Sequence, residues 1–132
     1  MATLLIIEDN ESNRILLVRR FRPRGHEVLT AGDAESGLAL ARTRQPQLIL
    51  LDVWLPGMDG WQASYQLKSD PATKHIPIII MTANAVPEDR ERALASLCDE
   101  FETKPLNFPG LFKKVDALLA RSNPPPPSPP TA

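Results

Sequence analysis

The chain has 132 residues, 42% of them hydrophobic, which is enough apolar material for one compact core and too little length for a second ordinary domain. A formal net charge of −1 and an isoelectric point near 6.1 supply no broad cationic field, which argues against nucleic-acid binding by this chain alone. The single Cys98 cannot close an internal disulfide, and neither a signal-peptide core nor an apolar run approaching the roughly 20 residues of a membrane span is present, so the expectation is a soluble cytoplasmic protein.

Five short apolar runs read as strands, and the segments between them carry apolar residues at helical spacing. The first run, "TLLII" (3–7), leads into Glu8 and Asp9; a helix follows at about 12–22 with Leu17, Val18 and Phe21 on one face. "HEVLTA" (26–31) is the second strand, and Ala34, Leu38 and Ala41 mark a helix at 34–44. "QLILL" (47–51) leads into Asp52 and a turn built from Pro56, Gly57 and Gly60, with a helix at 60–69. "IPIIIM" (76–81) leads into Thr82, and Val86, Ala93, Leu94 and Leu97 mark a helix at 87–96. "EFET" (100–103) leads into Lys104 and Pro105, and the last helix, 108–121, carries Phe108, Leu111, Phe112, Val115, Leu118 and Leu119 on one face. Residues 1–122 thus form one domain, and 123–132 form a disordered proline-rich tail that cannot donate a helix or strand ladder. A proline-rich recognition ligand is the alternative reading of that tail.

Strands alternating with helices, several of them continuously apolar, specify an α/β protein with a parallel sheet covered on both faces. Right-handed crossovers bring every strand's C-terminal end to one edge, where such sheets bind ligands. Glu8, Asp9, Asp52, Thr82 and Lys104 all fall on that edge. Taken singly, each has an ordinary role as a cap, a strand residue or a surface lysine; their joint position is what points to chemistry. Three oxygen-rich side chains sharing a small site call for a hard divalent cation, Mg²⁺ above all. Lys104 supplies a compact positive charge and Thr82 a hydroxyl donor for phosphoryl oxygens, which leaves Asp52 as the nucleophile that forms an acyl phosphate.

The motifs "IIEDNESNR", "LILLDVWLPGMDGW", "IIIMTANA" and "FETKPL" resemble those of the receiver domain of two-component response regulators over roughly residues 3–121. The resemblance implies a flavodoxin-like (CheY-like) doubly wound sandwich, a five-stranded parallel sheet in the order 2-1-3-4-5 with five helices. It also implies roles: Glu8, Asp9 and Asp52 as ligands of Mg²⁺ with the backbone carbonyl of Trp54, Asp52 as phosphoryl acceptor, and Lys104 as the lysine that pairs with the phosphoryl group. Thr82 becomes the switch hydroxyl, Ala83 the small residue beside it, Phe101 the aromatic switch, and Pro105 a proline often preceded by a cis bond. The implied function is that of a stand-alone signalling protein rather than an enzyme. It takes a phosphoryl group from a sensor histidine kinase or a histidine phosphotransfer protein and remodels the surface of the fourth helix, fifth strand and fifth helix for a downstream protein target or a homodimer. A phosphorylation-independent binding module of the same fold is the alternative. A phosphohydrolase would want a second acid at position 54, where this chain has Trp54.

Several residues depart from the pattern or lie outside it. Leu97 stands where receivers commonly have Gly, at a cost of about 1 kcal/mol if the backbone there is left-handed. Glu102 replaces a commonly apolar residue, either as a charge guarding an edge strand or as a docking group. Trp54 either shields the acyl phosphate or covers exposed apolar surface. Arg14, Arg19, Arg20, Arg22 and Arg24 read as a solvated helix face or as a docking patch for the phosphoryl donor. His26, His75 and Cys98 show no ligand spacing and read as structural.

Overall fold

The computed structural model describes residues 2–83 and 87–122. Its elements in chain order are β1 (Thr3–Ile7), α1 (Glu11–Phe21), a 3-10 turn (Arg22–Arg24), β2 (Glu27–Ala31), α2 (Ala34–Arg44), β3 (Leu48–Asp52), α3 (Gly60–Ser69), β4 (Ile78–Thr82), α4 (Pro87–Ser96), β5 (Glu100–Thr103) and α5 (Phe108–Ser122). The strands form one parallel sheet in the order β2-β1-β3-β4-β5, the order expected from the resemblance.

Burial follows the two-residue period of a strand covered on both faces. Leu5, Ile7, Ile49, Leu51, Ile78 and Ile80 point to one side, where they pack with Leu38 and Ala41 of α2 and Ala63 and Leu67 of α3. Leu4, Ile6, Leu48, Leu50, Ile79 and Met81 point to the other, against Leu17 and Phe21 of α1 and Leu111, Val115 and Leu118 of α5. Every residue of β3 and β4 is buried, which is why those runs show no polar alternation in the sequence.

Four helices start on a short polar side chain that accepts a backbone N–H of the first turn: Asn10 from Asn13, Asp33 from Ser36, Asp59 from Gln62 and Asn107 from Gly110. Such caps satisfy donors that the helix cannot. They also fix where the chain leaves the C-terminal edge of the sheet.

The expected boundaries shift by a residue or two. β4 starts at Ile78 because Pro77 has no N–H to donate and Ile76 N–H is already bonded to the Thr73 carbonyl. The turn Arg22–Arg24, closed by Gly25 at φ 90°, was not expected.

α4 departs most from its sequence pattern. Of its expected apolar face only Ala93 is buried, while Leu94 is 78% and Leu97 51% exposed; Val86 lies outside the described residues, as does the tail 123–132. Leu97 does adopt the left-handed conformation, φ 63°, so α4 ends as a helix with Gly in that position would, with the strain borne by a leucine.

Candidate functional site

The site is built on the ends of β1, β3, β4 and β5. Glu8 N–H bonds the Ala31 carbonyl at 3.0 Å, extending β1 by one residue, and its carboxylate accepts Asn10 N–H at 3.2 Å. Asp52 closes β3 and pairs in register with Met81, while Thr82 closes β4 opposite Thr103. Lys104 N–H then bonds the Thr82 carbonyl at 2.7 Å, so the lysine leaves β5 at the level of the carboxylates.

Gly60 sets the height of the floor. A Cβ there would run into the Asp52 carbonyl oxygen and Val53 Cα, and Gly60 N–H bonds the Val53 carbonyl at 2.8 Å. Only glycine lets α3 close this tightly on the end of β3.

Glu8 and Asp52 are 1% and 3% exposed, and Lys104 Nζ bridges them, 3.2 Å from Glu8 Oε2 and 3.1 Å from Asp52 Oδ1. One oxygen from each of Glu8, Asp9 and Asp52 lies within 4.8 Å of the others. Burial raises the Asp52 carboxyl to about 6, with the Glu8 charge adding to it and Lys104 opposing. Burial works against the Lys104 ammonium, but the hydrogen bonds and charges of Asp52 and Glu8 outweigh it and hold Lys104 above its ordinary value. Such an all-oxygen, charge-rich set fits a hard divalent cation that keeps part of its water shell.

The structure brings Glu8, Asp9, Asp52 and Lys104 together at one end of the sheet. Thr82 is buried one strand away and lines a hollow of about 320 Å³ together with Trp54, Asp59, Trp61 and Arg92. Ala83, directly after it, is exposed. Trp54 is 65% exposed beside the site. Phe101 is half-buried, packs against the core on the α2–α3 side, and its carbonyl accepts Lys114 Nζ at 3.1 Å. The Lys104–Pro105 peptide is cis.

Other residues take different roles from those expected. The Glu102 side chain is not a free docking group, because on the edge strand β5 it is 13% exposed and paired with Lys114 at 2.9 Å. Among the arginines, Arg20 and Arg24 lie over the rings of Phe108 and Phe112 at 4.5 and 4.1 Å, tying α1 and the turn after it to α5. Arg14 turns back to the β1–α1 loop, donating to the Glu8 and Asp9 carbonyls. Its place in the first turn of α1 was the available signal, since helical side chains lean toward the N-terminus.

The response regulator receiver domain family matches residues 4–116. The chain is 41% identical over 117 residues to the response regulator PleD of Caulobacter vibrioides, covering 89% of this chain and 26% of PleD, so it spans about a quarter of that relative's length. It is 35% identical over 120 residues to the protein PilH of Pseudomonas aeruginosa, covering 91% of this chain and 99% of PilH. It is 33% identical over 117 residues to the polar-differentiation response regulator DivK of Brucella anthropi, covering 89% and 95%. Among solved structures, the signal receiver domain of a signal transduction histidine kinase from Syntrophus aciditrophicus superposes with a TM-score of 0.88 at 28% identity, covering 100% of this chain and 99% of that one. The receiver domain of a sensor histidine kinase from Pseudomonas aeruginosa, with a magnesium ion coordinated in its active site cleft, gives 0.83 at 27% identity, covering 90% and 98%. With the family match running from β1 into α5 and the sheet order in agreement, the chain belongs to the response regulator receiver domains of two-component signalling.

Proposed function

We propose that this receiver accepts a phosphoryl group on Asp52 in a Mg²⁺-dependent reaction, with a sensor histidine kinase or a histidine phosphotransfer protein as donor. The observation that carries the reading is the buried Asp52 carboxylate held 3.1 Å from Lys104 Nζ and clustered with Glu8 and Asp9. A carboxylate this deep is costly unless it is paired or used.

In the transfer, an Asp52 oxygen forms a bond to phosphorus as the bond from phosphorus to the donor's histidine nitrogen breaks, and that nitrogen leaves with the electron pair. Bound Mg²⁺, held by Glu8, Asp9, Asp52 and the Trp54 carbonyl, would offset the negative charge of the incoming phosphoryl oxygens. Lys104 shifts its ammonium from the resting carboxylate pair to a phosphoryl oxygen, and the Thr82 hydroxyl donates to another. Drawing Thr82 inward changes the space beside Ala83 that Phe101 can fill, which links the site to the α4–β5–α5 surface. The output is then a contact with a protein target or a second copy, and the chain acts as a cytoplasmic phosphoacceptor rather than a turnover enzyme.

Incubation with Mg²⁺ and acetyl phosphate, read by intact mass, tests this reading. One phosphoryl increment on the wild type and none on Asp52→Asn is the expected result. No increment with acetyl phosphate or with a histidine-kinase donor would instead favour a phosphorylation-independent binding module.

A further inference from the structure

We infer that Arg14 is a positioning residue for the acidic pair: it clamps the two peptide groups that carry Glu8 and Asp9 and thereby sets where the Asp9 carboxylate stands. The inference rests on the Mg²⁺ site proposed above.

A single nitrogen of the guanidinium, Nη1, donates to the Glu8 carbonyl at 2.8 Å and to the Asp9 carbonyl at 3.0 Å. These successive carbonyls define the peptide planes on either side of Asp9, so fixing both fixes the direction of its Cα–Cβ bond. Glu8 has further restraints of its own, through its N–H to Ala31 and its carboxylate to Asn10 and Lys104. Asp9 is exposed, and no ion pair or hydrogen bond among the described residues holds its carboxylate. Its placement therefore falls to its backbone.

The clamp is itself held in place. Arg14 N–H bonds the Asn10 carbonyl at 3.0 Å at the start of α1, whose cap is the Asn10 side chain. From the other side the β2–α2 loop closes over the guanidinium at Gly32, where a Cβ would sit 3.2 Å from Nη1. Any side chain at position 32 would press on the nitrogen that makes both bonds.

Charge and geometry predict opposite effects here. A guanidinium beside a cation site repels the cation, so if charge were its whole influence, removing it would tighten Mg²⁺ binding. If positioning dominates, removing it loosens Asp9 and weakens binding. Hydrogen-bond partners that orient metal ligands typically change affinity by roughly 10-fold or more when lost.

The experiment is calorimetric titration of the full chain with Mg²⁺ alone, for wild type, Arg14→Ala and Arg14→Lys, with a thermal melt of each. The lysine keeps the charge, but its chain is one bond shorter and lacks the planar head. The expected result is Mg²⁺ binding weakened roughly 10-fold in both variants, measured well below their melting temperatures, with lysine failing to rescue. Equal or tighter binding by Arg14→Ala would overturn the inference while leaving the Mg²⁺ site intact. A lower melting temperature with unchanged affinity would overturn it too, by showing a role in folding alone. A folded wild type that binds no Mg²⁺ would instead remove the site on which both readings stand.

Discussion

Lys104 Nζ and Asp52 Oδ1 lie 3.1 Å apart although their residues are 52 positions apart in sequence, and the bond joins the ends of two strands that are not neighbours in the sheet. Between β3 and β5 lies β4, so the lysine reaches across a strand to find its carboxylate. Its side chain remains 25% exposed, which leaves it room to move.

Lys104→Met should leave the fold intact and raise the Asp52 carboxyl further above about 6, because Lys104 is the group that holds it down against burial and Glu8. A carbon-detected titration of the Asp52 carboxyl checks this. The variant should also respond weakly to phosphorylation, seen as small chemical-shift changes in α4 and β5.

The raised Asp52 pKa makes stability depend on pH with a definite sign. The group moves from an ordinary 3.8 to about 6 on folding, so the folded state holds its proton more tightly. The stability this contributes is full below about pH 4 and is lost as pH rises through about 6, on the order of 3 kcal/mol in all. Asp52→Asn, which cannot ionise, should therefore gain on the wild type as pH rises across that window in metal-free buffer. Melting curves at several pH values measure the difference, and a gap that stays constant would contradict the assignment.

Gly60→Ala places a methyl group against the Asp52 carbonyl and Val53 Cα, both of them backbone that cannot rotate away. The expected cost is about 1–3 kcal/mol, and phosphorylation should slow because the end of β3 must shift. Denaturant unfolding gives the first quantity and the rate of acetyl phosphate labelling the second.

Leu97→Gly should stabilise the protein by about 1 kcal/mol. Leucine at φ 63° carries left-handed strain, and a side chain that is 51% exposed gives up little burial when removed. A shift of the urea midpoint to higher concentration is the expected observation.

Much of this architecture was legible in the sequence because it rests on local regularities. Unbroken apolar runs such as "LILL" and "IIIM" state that both faces are buried, and the residue after each run then has to lie at the sheet's C-terminal edge. That is why Asp52, Thr82 and Lys104 could be placed from position alone. What could not be read depends on contacts between distant elements. Glu102 resembles an exposed strand charge until α5 brings Lys114 to it. Leu94 fits a helical stripe, yet the core on that side is filled by α2 and α3, and among its described residues α4 buries Ala93 together with the polar Asp89 and Ser96 rather than Leu94. Arg14 belongs to a basic run whose members part company in three dimensions, one to the acidic loop and two onto the rings of α5.

The most direct test of Asp52 as acceptor is to phosphorylate the protein with acetyl phosphate and Mg²⁺, reduce it with borohydride, and sequence the peptides by tandem mass spectrometry. Reduction converts an aspartyl phosphate into homoserine. Homoserine at position 52, with Asp9 and Asp59 unchanged, is the predicted result. Homoserine at another aspartate, or at none in a protein that has gained a phosphoryl group, would contradict the account.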